Sequence, residues 1–525
     1  MARVSRESLA IGVIVISALL VRIWGVDYDL PYIYHPDEPS YIVISQNIFK
    51  TGDLNPHFFN YPSLFFYVNA LAYIPYFLIE TLMGSLQARG DILPPTSLAM
   101  GVTHAQTPAT VLLGRLVTIC FGTGTVVLTY FAGKQISGRA AVGVLASLMV
   151  AVSPTNVWHS RVMKPDSFVT FFSLASFLAS TLVYQQGKTR HYVVAGLCAG
   201  LTASSKYNGG LITFSLIIAH FLRCGRTSFK EPKLYLALFL CVAGFIATTP
   251  YAVLDSSEFL AGLRSEARHY ATGHAGMEGD SLAWYLDYMW DTGGGLYLLA
   301  LAGLVYGFRR RPKETGLLAC FPLVYFALVS GFLVRNDRTF LPMIAFLCVA
   351  VAWCLVDVFG KCNALKAVSL RRLMLAVPAV LTIAALATPM SRTIADGRGL
   401  AAVDSRETAR IWIDGNLPRG SRIAIESYSP FVDPSRYSVM GFRRMIDNDA
   451  NWYRREGFEY LVFSELLYGR FYEKSERYRS AAERYERLFS EFSLVTVFTE
   501  GGHDIRVYRV KRGRLSPDPS SPRTR

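Results

Sequence analysis

The chain has 525 residues, 52% of them hydrophobic and 18% charged, with a mean hydropathy of +0.29 and a formal net charge of +14. That composition excludes an ordinary soluble enzyme and fits a protein that crosses a membrane several times. Much of the positive excess lies in short loops between apolar runs, where the preference for basic residues on the cytoplasmic side accounts for it, so nucleic acid is not an expected partner.

A span needs about 20 apolar residues. Candidate runs lie near 8–26, 109–132, 140–156, 167–184, 191–205, 208–222, 233–251, 292–308, 315–333, 338–357 and 372–390. The first has no small-residue cleavage site after it and reads as a retained span that also serves as insertion signal. With "MARVSR" inside, the basic loops "GKQISGR", "QQGKTRH", "RCGRTSFKEPK", "RRRPKE" and "GKCNALKAVSLRR" all fall on the cytoplasmic side. The stretch 64–84 is also long enough to cross, but a full crossing would put "RRRPK" outside. It is therefore expected as an interfacial or re-entrant helix within a first external loop, 27–108.

The other external loops are then 157–166, 206–207, 252–291 and 334–337. From about residue 391 the chain turns polar, long enough for one small core. "DSRETARIWIDGNLPRG" reads as a helix capped by Asp404 and closed by Gly420. "SRIAIES", "EYLVFSE", "SLVTVFTE" and "DIRVYRV" read as strands, and "SERYRSAAERYERLFSEF" as an amphipathic helix. The expected architecture is a polytopic α-helical membrane part, 1–390, of about eleven spans. An extracytoplasmic α/β domain, 391–510, and a disordered tail, 511–525, follow it. The eight cysteines lie in apolar runs or basic loops without metal-type spacing, which argues against a disulfide framework and a structural zinc site.

The polar clusters collect on the external side. "YIYHPDEPSYIV" holds His35, Asp37 and Glu38, and "NPHFFNYP" holds His57 and Tyr61. "NVWHSRVMKPD" holds His159, Arg161, Lys164 and Asp166. Lys206 interrupts an apolar hairpin, Arg264 and His269 lie in the loop at 252–291, and Arg338 opens a span. Arg115 sits inside an apolar run, where a charge is costly and usually faces an interior site. Carboxylates beside cations at a lipid boundary suit group transfer from an anionic lipid. A carboxylate such as Asp37 can take the proton of an acceptor hydroxyl. Arg115, Arg161, Lys164, Lys206 and Arg264 are candidates to hold a departing phosphate. Asp37 could equally cap the helix that "EPSYIVISQNIFK" predicts, and Asp166 the span that follows it.

The ordered set "HPDE", "NPHFFNYPSLFFY", "LLGRLVTICFGTGTVVLTY", "VSPTNVWHSRVMKPDSF", "ASSKYNGG", "RTFLPMIAF" and "DSRETARIWIDGNLPRGSRIAIESYSP" resembles the bacterial branch of the GT-C glycosyltransferases. That family includes protein O-mannosyltransferases and the lipid A aminoarabinose transferase. The resemblance implies inverting transfer of a sugar from a polyprenyl-phosphate donor, on the outer face of a bacterial cytoplasmic membrane, to a lipid, polysaccharide or protein acceptor. It implies Asp37 as catalytic base, with Glu38 beside it. Asp166 would help build the site, and Asp37, Asp166 and a histidine could hold a divalent metal if they converged. The donor-binding set is then Asp166, Arg115, Arg161, Lys164, Lys206, His57, Arg264, His269 and Arg338. The loop at 252–291 and the C-terminal domain depart from the best-known protein O-mannosyltransferases, which leaves the acceptor open. A lipid-linked sugar flippase would place its charges near the midplane and often show inverted repeats. A non-catalytic envelope scaffold would leave the carboxylates and Arg115 unexplained.

Overall fold

In an apolar medium every backbone N–H and C=O must find its partner within the segment, so the apolar runs become helices. A computed structural model describes residues 5–276, 279–473 and 475–510. They divide into two units: Met1–Val26, Ser40–Ile92 and Ala109–Arg398 in one, and Asp27–Pro39, Leu93–Pro108 and Gly399–Arg525 in the other.

The helical unit begins with α1 (Arg6–Ile23), whose Ser5 hydroxyl accepts the Ser8 N–H as an N-cap. Then come α2 (Glu38–Thr51), α3 (Leu64–Leu82), α4 (Pro108–Ser137), α5 (Ala140–Ala151) and α6 (Pro154–Arg161). The series α7 (Asp166–Gln186), α8 (Thr189–Ser205), α9 (Thr213–Cys224), α10 (Pro232–Thr248), α11 (Tyr251–Leu254) and α12 (Ser256–Thr272) follows. It closes with α13 (Ser281–Gly293), α14 (Gly295–Arg310), α15 (Pro312–Val329), α16 (Asp337–Asn363) and α17 (Val368–Ala401).

Each apolar run of the sequence falls mainly on these helices, the run at 208–222 opening with a 3-10 helix, Tyr207–Ile212, before α9. Among the described residues, six helices are long and apolar enough to cross a membrane, or up to eight elements if each of two bent pairs counts as one span. This is a multi-pass membrane protein. Helix α3, expected as interfacial or re-entrant, is one of the six. The run 140–156, read from the sequence as one span, breaks after α5: α6 starts at Pro154, bends by 59° and runs into the expected external loop at 157–166, and a ring without an N–H suits a fresh helix start. Helix α16 is the most enclosed: 83% of its apolar window is buried, against 17% for α17. A core drawn from α1, α4, α5, α7 to α10 and α13 to α17 contains Phe177, Phe321 and Phe346.

The second unit is α/β. Strands β1 (Tyr32–Ile33), β2 (Thr96–Ala99) and β3 (Val102–His104) form an antiparallel sheet in the order β1-β3-β2. A five-stranded sheet, β5-β4-β6-β8-β7, is built from β4 (Arg422–Glu426), β5 (Ser438–Phe442), β6 (Tyr460–Ser464), β7 (Ser493–Phe498) and β8 (Ile505–Arg509). Strand β4 pairs in parallel with β5 and β6, and β8 runs antiparallel to β6 and β7. Every residue of β6 is buried, as a strand covered on both faces requires. Helices α18 (Ser405–Asn416), α19 (Ala450–Arg455), α20 (Glu465–Tyr472) and α21 (Ser475–Glu491) complete the unit. The Asp404 carboxylate caps α18, accepting the Arg406 N–H at 2.8 Å, as its sequence position predicts.

Two divisions differ from the sequence reading. Residues 27–108, expected as one loop of the membrane part, are shared: 40–92 stay with the helices, while 27–39 and 93–108 belong to the α/β unit. The β2 strand meets β5 at Gly441, where an added Cβ would lie 2.0 Å from the Leu98 carbonyl; only a residue without a side chain permits that approach. The boundary expected after 390 falls after Arg398. The tail read as disordered, 511–525, lies outside the described residues.

Candidate active site

The α7–α8 hairpin brings the first residue of α7 beside the residue that ends α8. Asp166 and Lys206 form a salt bridge of 2.9 Å, Nζ to Oδ1, with side chains only 2% and 6% exposed. Two charges removed from water cost several kcal/mol each before their attraction returns it, and an apolar pair would often stabilise the fold as well. The pair is not isolated. Asp166 also feels the charges of Arg338, Lys164 and His159. His159 Nε2 lies 3.1 Å from Asp337 Oδ2. Tyr61, Tyr270 and Tyr325 interact electrostatically with Lys206, and Asn208 donates to the Tyr325 hydroxyl at 3.0 Å. The helical unit therefore gathers four predicted residues into one cluster, Asp166, Lys164 and Lys206 buried and Arg338 half-buried.

A second group holds the break between α5 and α6. Arg22, fully buried, donates to the carbonyls of Ala18 at 2.9 Å, Ala151 at 3.3 Å and Val150 at 3.4 Å, to Ser160 Oγ at 3.3 Å and to Asn156 Oδ1. The last carbonyls of α5 have no partner inside their own helix, and a guanidinium supplies up to five N–H groups to such acceptors. Gly122 makes room: a Cβ there would lie 1.9 Å from Ser160 Oγ. Arg161 donates to the Val21 carbonyl and Arg115 to the Val26 carbonyl at 2.9 Å. Both predicted residues are buried, Arg115 as its place within an apolar run suggests and Arg161 although it was read in an external loop; Arg161 holds the last turn of the first helix and Arg115 the segment just after it.

The remaining candidates of this unit show other contacts, although His269 stands next to Tyr270. His57 is exposed and pairs with Asp53 at 3.1 Å in a surface turn. Arg264 is exposed on α12. His269, on the same helix, stacks on His274 with ring centroids 5.4 Å apart. Helix α12 instead braces the 55–60 segment: Asn60 donates to Glu266 at 3.2 Å and Asn55 to Asp255 at 3.0 Å.

The "HPDE" stretch belongs to the α/β unit. Asp37 directly precedes α2, is half-buried, and its N–H donates to His35 Nδ1 at 3.2 Å. Glu38 opens α2 and is fully buried. Upstream, Arg406 lies over the Tyr34 ring, 4.1 Å from its centroid, and donates to the Tyr34 carbonyl at 3.4 Å. Burial pushes the Tyr34 phenol well above its ordinary range, so the ring stays neutral and serves as a fixed face. The backbone leading to Asp37 is thus held by strand β1 and a guanidinium. Among the described residues no three His, Cys, Asp or Glu side chains gather so that they could hold a metal ion. As a set, then, the residues expected as metal donors do not fit a metal centre.

Arg22 and Asp337 escape the candidate set. Arg22 carries the signal that marks Arg115, a charge within an apolar run; Asp337 stands next to the predicted Arg338.

Comparison with known proteins supports the architecture. Residues 109–251 match the family described as dolichyl-phosphate-mannose-protein mannosyltransferase. No curated protein matches the chain by sequence. The oligosaccharyltransferase of Archaeoglobus fulgidus in its apo form aligns with a TM-score of 0.56 at 12% identity, covering 98% of this chain and 75% of that one. ArnT from Cupriavidus metallidurans in the apo state gives a TM-score of 0.53 at 15% identity, with 98% of this chain and 100% of that one covered. The same ArnT bound to undecaprenyl phosphate gives 0.52 at 14%, covering 94% and 97%. The chain shares the fold of the GT-C glycosyltransferases.

Proposed function

We propose that this protein transfers a sugar from a polyprenyl-phosphate-linked donor to a hydroxyl acceptor at the outer face of a bacterial cytoplasmic membrane, inverting the anomeric carbon. The observation that carries the reading is the buried Asp166–Lys206 pair with Lys164 and Arg338 around it. Such charges inside a membrane protein are expensive and mark a working site. The ArnT neighbour bound to undecaprenyl phosphate supports a lipid-phosphate donor.

In one displacement, Asp37 accepts the acceptor's hydroxyl proton as the oxygen attacks the anomeric carbon. The bond from that carbon to the phosphate oxygen breaks, and its electron pair leaves on the polyprenyl phosphate. A general base of this kind contributes about 10²–10⁴-fold. Lys206, Lys164 and Arg338 supply positive charge for the departing phosphate, and Asp166 fixes the orientation of Lys206. Arg22, Arg115 and Arg161 tie the end of α1 and the segment after it to α4, α6 and the end of α5. The acceptor is a lipid, polysaccharide or protein hydroxyl.

The test uses purified protein in liposomes with radiolabelled polyprenyl-phosphate sugars and an envelope extract as acceptor source. Transfer of label to a non-prenyl product, with release of polyprenyl phosphate, is the expected result. Movement of intact lipid-linked sugar across the bilayer without transfer would replace this reading with that of a flippase.

A further inference from the structure

Within the α/β unit, strands β1 and β3 close against the loop after β4 and against α18, and leave a cavity of about 210 Å³. This lies below the ~300 Å³ at which clefts for drug-sized ligands begin, so it suits a single-ring guest. Three aromatic rings make one wall: Tyr32 and His104 have centroids 5.3 Å apart, Tyr32 and Phe431 5.5 Å, and His104 and Phe431 5.4 Å. The other wall is polar. Arg410 lies 4.7 Å from the Tyr32 ring centroid and is locked by Glu407 at 2.8 Å and Asp414 at 3.0 Å. Asp433, which accepts the Ser435 N–H at 2.8 Å, faces in beside Asp414. Burial lowers His104 below the usual imidazole range, and the backbone and hydroxyl hydrogen bonds from Ser435 keep Asp433 low, hence ionised.

An apolar ring face beside fixed, charge-bearing hydrogen-bond groups matches a pyranose, which has a C–H face and a hydroxyl edge. The lining carries one guanidinium against two carboxylates, which disfavours an anionic guest and so the donor phosphate itself. Tyr32 is five residues from Asp37, so even an extended chain keeps the two within about 18 Å. We infer that the cavity formed by Tyr32, His104 and Phe431 with Arg410, Asp414 and Asp433 is a saccharide subsite that seats a neutral or amino pyranose unit of the acceptor. The inference rests on the glycosyltransferase reading and assigns its acceptor a sugar.

The test is photolabelling of the full-length protein in nanodiscs with a diazirine-bearing methyl pyranoside, with labelled peptides identified by mass spectrometry. Labels are expected on the peptides that contain Tyr32, His104 or Phe431. Excess methyl mannoside or methyl glucosaminide should displace them; methyl glucuronide and inorganic phosphate should not. Tyr32→Leu and Phe431→Leu, each with a wild-type melting profile, should reduce labelling at least about fivefold, the order of one lost aromatic contact. The wild-type peptide map decides the matter even where a variant misfolds. Labelling confined to other segments, or displacement by phosphate, overturns the proposal. Attaching the photoprobe to a diacylglycerol or to a soluble trisaccharide shows which kind of glycan delivers the unit; labelling of the three peptides by neither overturns it as well. Asp37→Asn should label like wild type, so a failure of the catalytic assignment and a failure of the subsite give different results.

Discussion

The two units treat charge in opposite ways. The helical unit buries it: Arg22, Arg115, Arg161, Lys164, Asp166 and Lys206 are all shielded from solvent, and those with known partners are tied to carbonyls or to one another. The C-terminal α/β region lays its charge over rings. Arg422 lies 4.8 Å from the Phe458 centroid, Arg470 4.9 Å from Tyr428 and Arg506 5.0 Å from Tyr468. Its five-stranded sheet encloses one carboxylate, Glu426. Surface stacking contributes a fraction of a kcal/mol to about 1 kcal/mol per pair, whereas a buried ion must be matched or the fold suffers. The difference is one of cost: a charge buried among helices must be matched by partners, whereas a charge laid over a ring near the surface needs little else.

That contrast can be broken by substitution. The largest effect should come from Lys206→Met, which strands the Asp166 carboxylate and should cost about 3–5 kcal/mol, read as a large fall in melting temperature in nanodiscs. The double variant Asp166→Leu with Lys206→Met should recover much of that stability while remaining inactive. Recovery of both stability and transfer would show the pair to be merely structural. Arg22→Met should cost about 3 kcal/mol, because the α5 carbonyls lose a charged donor. The expected readout is faster proteolysis at the Ala151–Pro154 bend.

Glu426 offers a milder, pH-dependent contrast. Burial raises its carboxyl from 4.5 to about 8, even though it accepts from the Ser464 N–H at 2.9 Å and the Tyr485 hydroxyl at 3.1 Å. The folded form therefore holds the proton more tightly than the unfolded chain. Stability is fully present below about pH 4.5 and is lost as pH rises through about 8, by at most a few kcal/mol. Glu426→Gln should flatten melting temperature across that window; an unchanged slope would assign the pH dependence to other groups. The smallest effect should be that of Arg470→Leu, about 0.5–1 kcal/mol.

Much of the helical unit was legible because a membrane turns composition into secondary structure: all the apolar runs became helices. In the C-terminal part the predicted strands of β4, β6, β7 and β8 and the helices α18 and α21 are present; the strands are short apolar runs, and α18 has its Asp404 cap. Strand β5, "SVMGF", lacks a clear alternation of burial, and β1 to β3 are too short to signal themselves. Their pairing depends on contacts distant in sequence, such as Gly441 against Leu98, which local pattern does not encode. Arg115 was legible as a charge within an apolar run. The convergence of Lys206 on Asp166 follows from the hairpin of α7 and α8, which spacing alone leaves open. His57 shows the converse: an attractive residue type in an attractive stretch, held at the surface by Asp53.

The most direct test of the central claim is product formation by Asp37→Asn against wild type, with polyprenyl-phosphate sugars in reconstituted membranes. The account predicts normal insertion and melting with transfer reduced by about 10²–10⁴-fold. Transfer at the wild-type rate by a correctly folded Asp37→Asn protein would contradict it.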